Sequence, residues 1–227
     1  MRRNSTLPDK VTVVDYGRGN LFSVTKAFEH CGAEVEVTQS AERVMAAERL
    51  VLPGVGAFGD AMEALRGRGL IESIREYAES GRPFLGICVG MQVMFDGSEE
   101  FGDHRGLGLI PGKVVAIPDT DSDGRPHKVP HVGWTRLDAP DGGPGWDGTI
   151  LAGLGADDWV YFVHSFTAVP ADDRHRLADS DYGGHRISAA VRLESLWGCQ
   201  FHPEKSGPAG IAVLSRFLAQ SPERPIP

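Results

Sequence analysis

Across its first hundred residues the chain alternates short apolar runs with segments of helical period, a pattern best accommodated by a parallel sheet layered between helices. Val11-Thr12-Val13-Val14-Asp15 forms an apolar run that breaks at Tyr16-Gly17-Arg18-Gly19-Asn20. Asn20 is placed to cap a helix through about residue 31, with Leu21, Val24, Ala27, Phe28 and Cys31 on one stripe and Gly32 closing it. Val35 and Val37 alternate with charge over 34–38, and Leu50-Val51-Leu52 runs into Pro53-Gly54-Val55-Gly56. Helical patterns at 57–66 and 70–80 precede Pro83-Phe84-Leu85-Gly86-Ile87, a continuous apolar run of the kind found in strands buried on both faces. Residues 89–95 fit a buried helix. The prediction is an α/β fold: a parallel sheet with helices on both faces.

The second half reads differently. Strands are predicted at 112–118, 129–137, 159–163, 186–193 and 196–201, and an amphipathic helix at 210–219. Two spacers interrupt them: 119–125 is acidic, and 138–148 is rich in Gly and Pro, so both are expected as surface loops. No internal repeat or linker divides the chain. The expected organisation is one domain over 11–220, between a tail at 1–10 and another at 221–227. At 227 residues, such a domain buries about 70–75% of its extended surface. The net charge of −8 argues against nucleic acid or an anionic membrane surface as partner. No apolar run approaches the roughly 20 residues of a membrane span, and the start lacks the apolar core of a secretory signal. Cys31, Cys88 and Cys199 are an odd, scattered set, which disfavours disulfides and structural zinc and suggests a cytoplasmic protein.

The chemistry gathers around one of these cysteines. In Leu85-Gly86-Ile87-Cys88-Val89-Gly90-Met91-Gln92, Cys88 sits between a predicted strand and helix with glycines two residues to either side. This is the pattern of a nucleophile elbow, with sulfur in place of a serine oxygen, and the positive end of a helix favours an anionic nucleophile. A free cysteine can equally be a small core residue, so the elbow needs a partner. Gln200-Phe201-His202-Pro203-Glu204 supplies one. Pro203 keeps His202 extended, and extended geometry brings Glu204 alongside the imidazole as its orienting carboxylate. A third element, Pro53-Gly54-Val55-Gly56-Ala57-Phe58-Gly59, carries the spacing G-x-G-x-x-G. A dinucleotide fingerprint normally follows the first strand, whereas this one follows the third, and Glu79 falls inside a predicted helix. As a glycine turn beside Cys88, it would serve as an oxyanion hole. Pro130 separates His127 from His131, so they form no helical metal pair. His30, His104, His175 and His185 are expected at the surface, and His164 is expected to be structural. No P-loop or paired metal carboxylates are visible, so neither metal nor other cofactor is expected.

The elbow and the Phe201-His202-Pro203-Glu204 ending are similar to those of class I, triad-type glutamine amidotransferases. Asp15-Tyr16-Gly17-Arg18-Gly19-Asn20, Pro53-Gly54-Val55-Gly56, Pro130-His131-Val132-Gly133-Trp134, Tyr161-Phe162-Val163-His164-Ser165 and His202-Pro203-Glu204-Lys205-Ser206 narrow the resemblance to the HisH family, the glutaminase subunits of imidazole glycerol phosphate synthase. It spans about 11–218. Thr135 stands where that family usually carries Asn, Val132 where Met is more frequent, and the loop at 138–148 is unusually rich in Gly and Pro. The glutaminase of pyridoxal phosphate synthesis would share the triad without the 15–20 and 130–134 signatures. A non-catalytic or peptidase-like relative would have no reason to keep Cys88, His202 and Glu204 together.

The resemblance implies a flavodoxin-like open sheet, mostly parallel, with helices on both faces and added antiparallel strands. It implies that Cys88 attacks the carboxamide of L-glutamine, that His202 shuttles the proton and that Glu204 orients the imidazole. Backbone N–H groups of Val55, Gly56 and Val89 would receive the oxyanion, and Gln92, Glu100, Ser165 and Phe166 would contact glutamine. A barrel-type synthase domain of about 250 residues is more than this chain holds, so the expected partner is the cyclase subunit HisF, a (β/α)₈ barrel, in a heterodimer. HisF would convert PRFAR to imidazole glycerol phosphate and AICAR with the ammonia supplied. In that family the Gly54-Val55-Gly56 turn is the suspected switch that holds hydrolysis low until the partner is engaged.

Overall fold

Strand and helix alternate through the first half of the chain largely as its pattern predicts. In the computed structural model, which describes residues 9–140 and 145–221, the order is Lys10–Val14 (β1), Leu21–His30 (α1), Glu34–Thr38 (β2), Ala41–Ala46 (α2), Leu50–Gly54 (β3), Phe58–Gly67 (α3), Ile71–Glu79 (α4), Phe84–Cys88 (β4) and Val89–Gln92 (α5). Then come the strands Phe95–Ser98 (β5), His104–Arg105 (β6), Ile110–Ala116 (β7), His131–Arg136 (β8), Trp159–His164 (β9), Phe166–Pro170 (β10), Arg176–Tyr182 (β11), His185–Leu193 (β12) and Leu196–Cys199 (β13), and the closing helix Gly207–Leu218 (α6). Residues 1–8, 141–144 and 222–227, which include most of both expected tails and the middle of the 138–148 loop, lie outside the described residues.

The main sheet has seven strands in the order β11-β12-β13-β4-β3-β1-β2. From β13 to β2 the neighbours run parallel, while β12 and β11 are antiparallel additions. The order β2-β1-β3-β4 reverses direction at β1, as in flavodoxin-like sheets, and right-handed crossovers then put α1 on one face and α2 and α4 on the other. Packing agrees. Phe28 of α1 meets Phe217 of α6 edge to face at 6.1 Å, whereas α2 packs against α4. Asn20 Oδ1 caps α1 by accepting from Ser23 N–H. β4 is buried at every residue, the reason its run is apolar without interruption. A second sheet, β10-β7-β5-β6, and the hairpin β8–β9 stand beside the main one.

Several local expectations need correction. The helix predicted over 89–95 stops at Gln92, because Val93 and Met94 turn the chain and Phe95 opens β5, whose Asp-Gly-Ser remainder reads as a loop. α2, β6, β10 and β11 are additional elements. β11 was hidden by its charges: Arg176 and Asp179 are both buried, and pair at 2.8 Å. Ser40 caps α2, which buries only Val44 and so lacks a recognisable stripe. β8 begins at His131 rather than 129, β13 ends at Cys199 rather than 201, and α6 begins at Gly207 rather than 210. His30 is exposed, but His104, His175 and His185 are half-buried. The ring of His104 covers Gly59, and His185 Nε2 lies 2.6 Å from the Thr120 carbonyl.

One contact governs the placement of α5. A Cβ at Gly90 would overlap the carbonyl oxygen of Leu52 in β3, so only glycine lets this helix lie against the sheet. Gly90→Ala is therefore expected to lower unfolding stability by about 1–3 kcal/mol, read from the urea midpoint; a midpoint equal to wild type would show that the contact is not limiting.

Candidate active site

Three neighbouring parallel strands deliver the predicted residues to one edge of the sheet. Register pairs Gly54 of β3 with Cys88 of β4, and Ile87 of β4 with Cys199 of β13. The segments that leave those strands, 55–57, 89–92 and 200–206, therefore emerge side by side at the carboxyl ends, where open α/β sheets bind ligands. They border a cavity of about 290 Å³ whose walls include Val55, Gly56, Cys88, Val89, Gln92, Glu100, Ser165, Phe166 and His202. Glu204 stands behind His202 rather than in the wall.

Cys88 holds φ 53° and ψ −114°, a conformation that is costly for a side chain bearing a Cβ. The turn is packed from both sides: a Cβ at Gly86 would lie 2.7 Å from the Gly90 carbonyl oxygen and 2.7 Å from the Met91 Cα. The sulfur thus projects at the mouth of α5, whose first turn leaves amide groups without intrahelical acceptors. Gly56, at φ 92°, opens the neighbouring turn, with free space where a Cβ would be.

His202 is 2% exposed and its Nδ1 lies 2.8 Å from Glu204 Oε1. The pair meets by a different geometry from the one predicted. His202 itself is extended, at φ −99° and ψ 96°, but Pro203–Lys205 forms a 3₁₀ turn that folds the carboxylate back under the ring. The backbone of His202 is pinned by its N–H to the Tyr161 carbonyl and by its own carbonyl, which accepts from Ser206 Oγ at 2.7 Å. Burial alone would depress His202. The Cys88 sulfur and the Glu204 carboxylate outweigh it and raise the imidazole to about 10, so the imidazolium is the favoured form here. Cys199, whose thiol is pushed up by burial and then by Glu204, is an inert packing residue.

The other predicted residues differ in their roles. Glu100 Oε2 accepts from Phe58 N–H at 2.6 Å, capping α3 from across the cavity, and burial pushes its carboxyl above the usual range. Its neighbour Glu99 is exposed, so only one of the two acids belongs to the site. Ser165 lies between β9 and β10, and the Phe166 carbonyl accepts from Gln92 Nε2 at 3.0 Å. Sequence reasoning missed Gln200, whose Nε2 lies 3.7 Å from Cys88 Sγ; its place one residue past β13 was the available signal. It also missed His164, which lines the cavity, and His131, whose Nδ1 is 3.1 Å from His164 Nε2. Burial lowers His131 to about 4 and His164 to about 3, so both are neutral. Among the described residues no cluster of three or more His, Cys, Asp or Glu could hold a metal ion, and no helix is long and apolar enough to cross a membrane.

The family model described as glutamine amidotransferase class-I matches residues 12–221. The chain is 50% identical over 208 residues to the imidazole glycerol phosphate synthase subunit HisH 1 of Legionella pneumophila (strain Lens), covering 92% of this chain and 98% of that protein. It is 47% identical over 208 residues to the imidazole glycerol phosphate synthase subunit HisH of Syntrophotalea carbinolica, covering 91% and 98%. In fold it is similar to PurLQS from Thermotoga maritima, with a TM-score of 0.65 at 22% identity over 94% of this chain and 99% of that one. A glutamine amidotransferase crystal structure gives 0.64 at 18% over 92% and 98%.

The buried histidines set opposite limbs of the stability profile. An unfolded imidazole titrates near 6.5. His131 and His164, lowered on folding, take up protons more readily when unfolded, so stability falls as pH drops below about 6.5 towards 4. His202, raised on folding, contributes stability that is full below about 6.5 and is lost as pH rises through about 10. Urea midpoints taken from pH 5 to 10 are expected to flatten on the acid side in His164→Gln and on the alkaline side in His202→Gln. Profiles parallel to wild type in both variants would contradict these assignments.

Proposed function

We infer the reaction from the premise that the chain belongs to the class I glutamine amidotransferase family and, within it, to the HisH subunits of imidazole glycerol phosphate synthase. On that footing it is the glutaminase subunit for histidine biosynthesis: it hydrolyses L-glutamine to glutamate and ammonia. The observation that carries the assignment of roles is the meeting of the strained Cys88 elbow with the His202–Glu204 pair at the ends of adjacent strands.

In the proposed mechanism the Cys88 sulfur, its proton held on His202, attacks the carboxamide carbon. The carbonyl oxygen becomes an oxyanion that accepts hydrogen bonds from the N–H of Val89 and from the Val55–Gly56 turn; one such donor is typically worth about 10²–10³ in rate. The tetrahedral species collapses as His202 gives its proton to the departing nitrogen, releasing ammonia and leaving a γ-glutamyl thioester on Cys88. His202 then takes a proton from water as that water attacks the thioester, and returns it to the sulfur as glutamate leaves. Glu204 keeps the ring oriented throughout and stabilises its charged form. Glu100 is suited to the substrate's α-ammonium, since a cation would favour ionisation of a carboxyl that burial otherwise opposes. Gln92, Ser165 and Phe166 line the rest of the glutamine site. No metal or cofactor takes part in this scheme.

The ammonia needs an acceptor, and the proposed partner is the cyclase subunit HisF in a heterodimer, which would use it to convert PRFAR to imidazole glycerol phosphate and AICAR. The hairpin β8–β9 supports a protein partner beside the cavity. Its outer face carries Val132 and Trp134 opposite Val163 and Tyr161, and both Val132 and Trp134 are at least half exposed. Val163 belongs to that face and to the cavity wall at once. The open Gly54-Val55-Gly56 turn is proposed to present its N–H to the oxyanion fully only in the complex. Three free cysteines suit a cytoplasmic setting.

Three measurements test the reading. With a cognate cyclase present, Cys88→Ala is expected to abolish glutamine-dependent synthesis and to spare ammonia-dependent synthesis; loss of both would make the cysteine structural. Trp134→Ala is expected to weaken cyclase binding at least tenfold by titration calorimetry, as removal of an interface tryptophan commonly does. Unchanged affinity would move the interface elsewhere, and full glutamine hydrolysis by the free subunit would refute the role given to the glycine turn.

A further inference from the structure

A line of hydrogen bonds leads from the hairpin to the reacting sulfur. Thr135 Oγ1 is 2.9 Å from His131 Nε2, His131 Nδ1 is 3.1 Å from His164 Nε2, and His164 Nδ1 is 2.8 Å from the Phe166 carbonyl oxygen. That oxygen is also 3.0 Å from Gln92 Nε2, which is 3.0 Å from Gln200 Oε1. Gln200 Nε2 then lies 3.7 Å from Cys88 Sγ.

The direction of each bond follows from the ends. A carbonyl oxygen only accepts, so His164 carries its proton on Nδ1. In a neutral ring Nε2 is then an acceptor, and His131 must donate to it from Nδ1. His131 Nε2 is left to accept from the Thr135 hydroxyl. On the other side, the two protons of the Gln92 amide go to Phe166 and to Gln200, which turns the Gln200 nitrogen towards sulfur. Both lone pairs of the Phe166 carbonyl are occupied, one by each branch. The His131 ring is held in plane between Phe162, at 4.8 Å, and Tyr182, at 4.0 Å, so it cannot turn away. His131 and Thr135 lie on the inward side of β8, while the alternate residues Val132 and Trp134 face outwards.

We propose that His131 and His164 are positioning residues for the glutaminase reaction: a proton-ordered relay that pins the Phe166 carbonyl and, through Gln92 and Gln200, the sulfur of Cys88. This rests on the glutaminase reading given above. Gln200 is the member that touches the reacting atom, and the Thr135 hydroxyl completes the far end by donating to His131 Nε2. Without the Thr135 hydroxyl, His131 Nε2 is left as a buried acceptor with no donor; His164 still keeps the proton on Nδ1, but the ring loses its outer anchor and the His131–His164 hydrogen bond weakens.

The test uses the full chain with its cyclase. Thr135 is outside the cavity wall, so Thr135→Val and Thr135→Ser probe the relay without altering the site. Thr135→Val is expected to lower kcat/KM for glutamine by about tenfold, the upper end of one net hydrogen bond, while Thr135→Ser stays at the wild-type value. His131→Phe is expected to lose at least as much, and His131→Gln, which can donate to His164 and accept from Thr135, to recover most of it. Nitrogen-15 NMR of the histidine-labelled protein at pH 7.5 is expected to show the Nδ1–H tautomer at both positions, and in Thr135→Val the same tautomer with the His131 Nε2 resonance moved downfield as it loses its donor. A purely structural role would alter melting midpoints and leave kcat/KM unchanged. Wild-type kcat/KM in Thr135→Val, or Nε2–H at either histidine in the wild type, would overturn the relay. A wild-type chain that hydrolysed no glutamine beside a competent cyclase would overturn the underlying reading instead, and the tautomer spectrum would still decide the relay.

Discussion

A side chain bearing a Cβ is held at φ 53° where β4 turns into α5, and much of the molecule is arranged so that it stays there. Such a conformation costs about 1–3 kcal/mol and persists only if the surroundings allow no alternative. The central strand is clamped by β3 and β13, the short helix is pressed against β3 through Gly90, and Gly86 admits the return of the chain. Each of these contacts removes a route by which Cys88 could relax. The consequence is a sulfur presented at the carboxyl edge of the sheet, beside two neighbouring strand ends that carry the other groups it needs.

The electrostatics of the cavity divide in a way that follows from partners rather than from burial. His131, His164 and His202 are all buried within one region. The first two meet only neutral groups or other imidazoles, so burial keeps them uncharged. The third has a carboxylate on one nitrogen and a sulfur near the other, so it holds its proton despite burial. A neutral pair and a protonated ring can thus lie close together. The pattern matches the general rule that titratable groups pushed in opposite directions mark the division of labour in a site.

Much of this was legible in the residues. The parallel core could be read because strands buried on both faces need unbroken apolar runs, and 83–87 is one. The elbow could be read because glycines two residues either side of a nucleophile have a steric reason to be there. The His202–Glu204 pair was legible as a pairing, although its 3₁₀ geometry was not, since Pro203 constrains the residue before it more strongly than those after. Strand β11 and helix α2 were not legible. In the first, a buried Arg176–Asp179 ion pair satisfies charges that look like surface residues; in the second, a single buried valine leaves no periodicity.

By itself the sequence determined the class of chemistry and the elements that carry the proposed residues, because Cys88, His202 and Glu204 each sit in a short motif whose local geometry is set by glycine, proline and spacing. It could not determine that Gln200 reaches the sulfur, that Glu100 caps a helix whose first residue lies 42 positions earlier, or that His131 and His164 meet ring to ring. Those facts depend on register between strands far apart in sequence and on which lone pairs remain free once every neighbour is in place. Only the tertiary structure decides them, because a hydrogen bond has a direction and that direction is fixed by its partners.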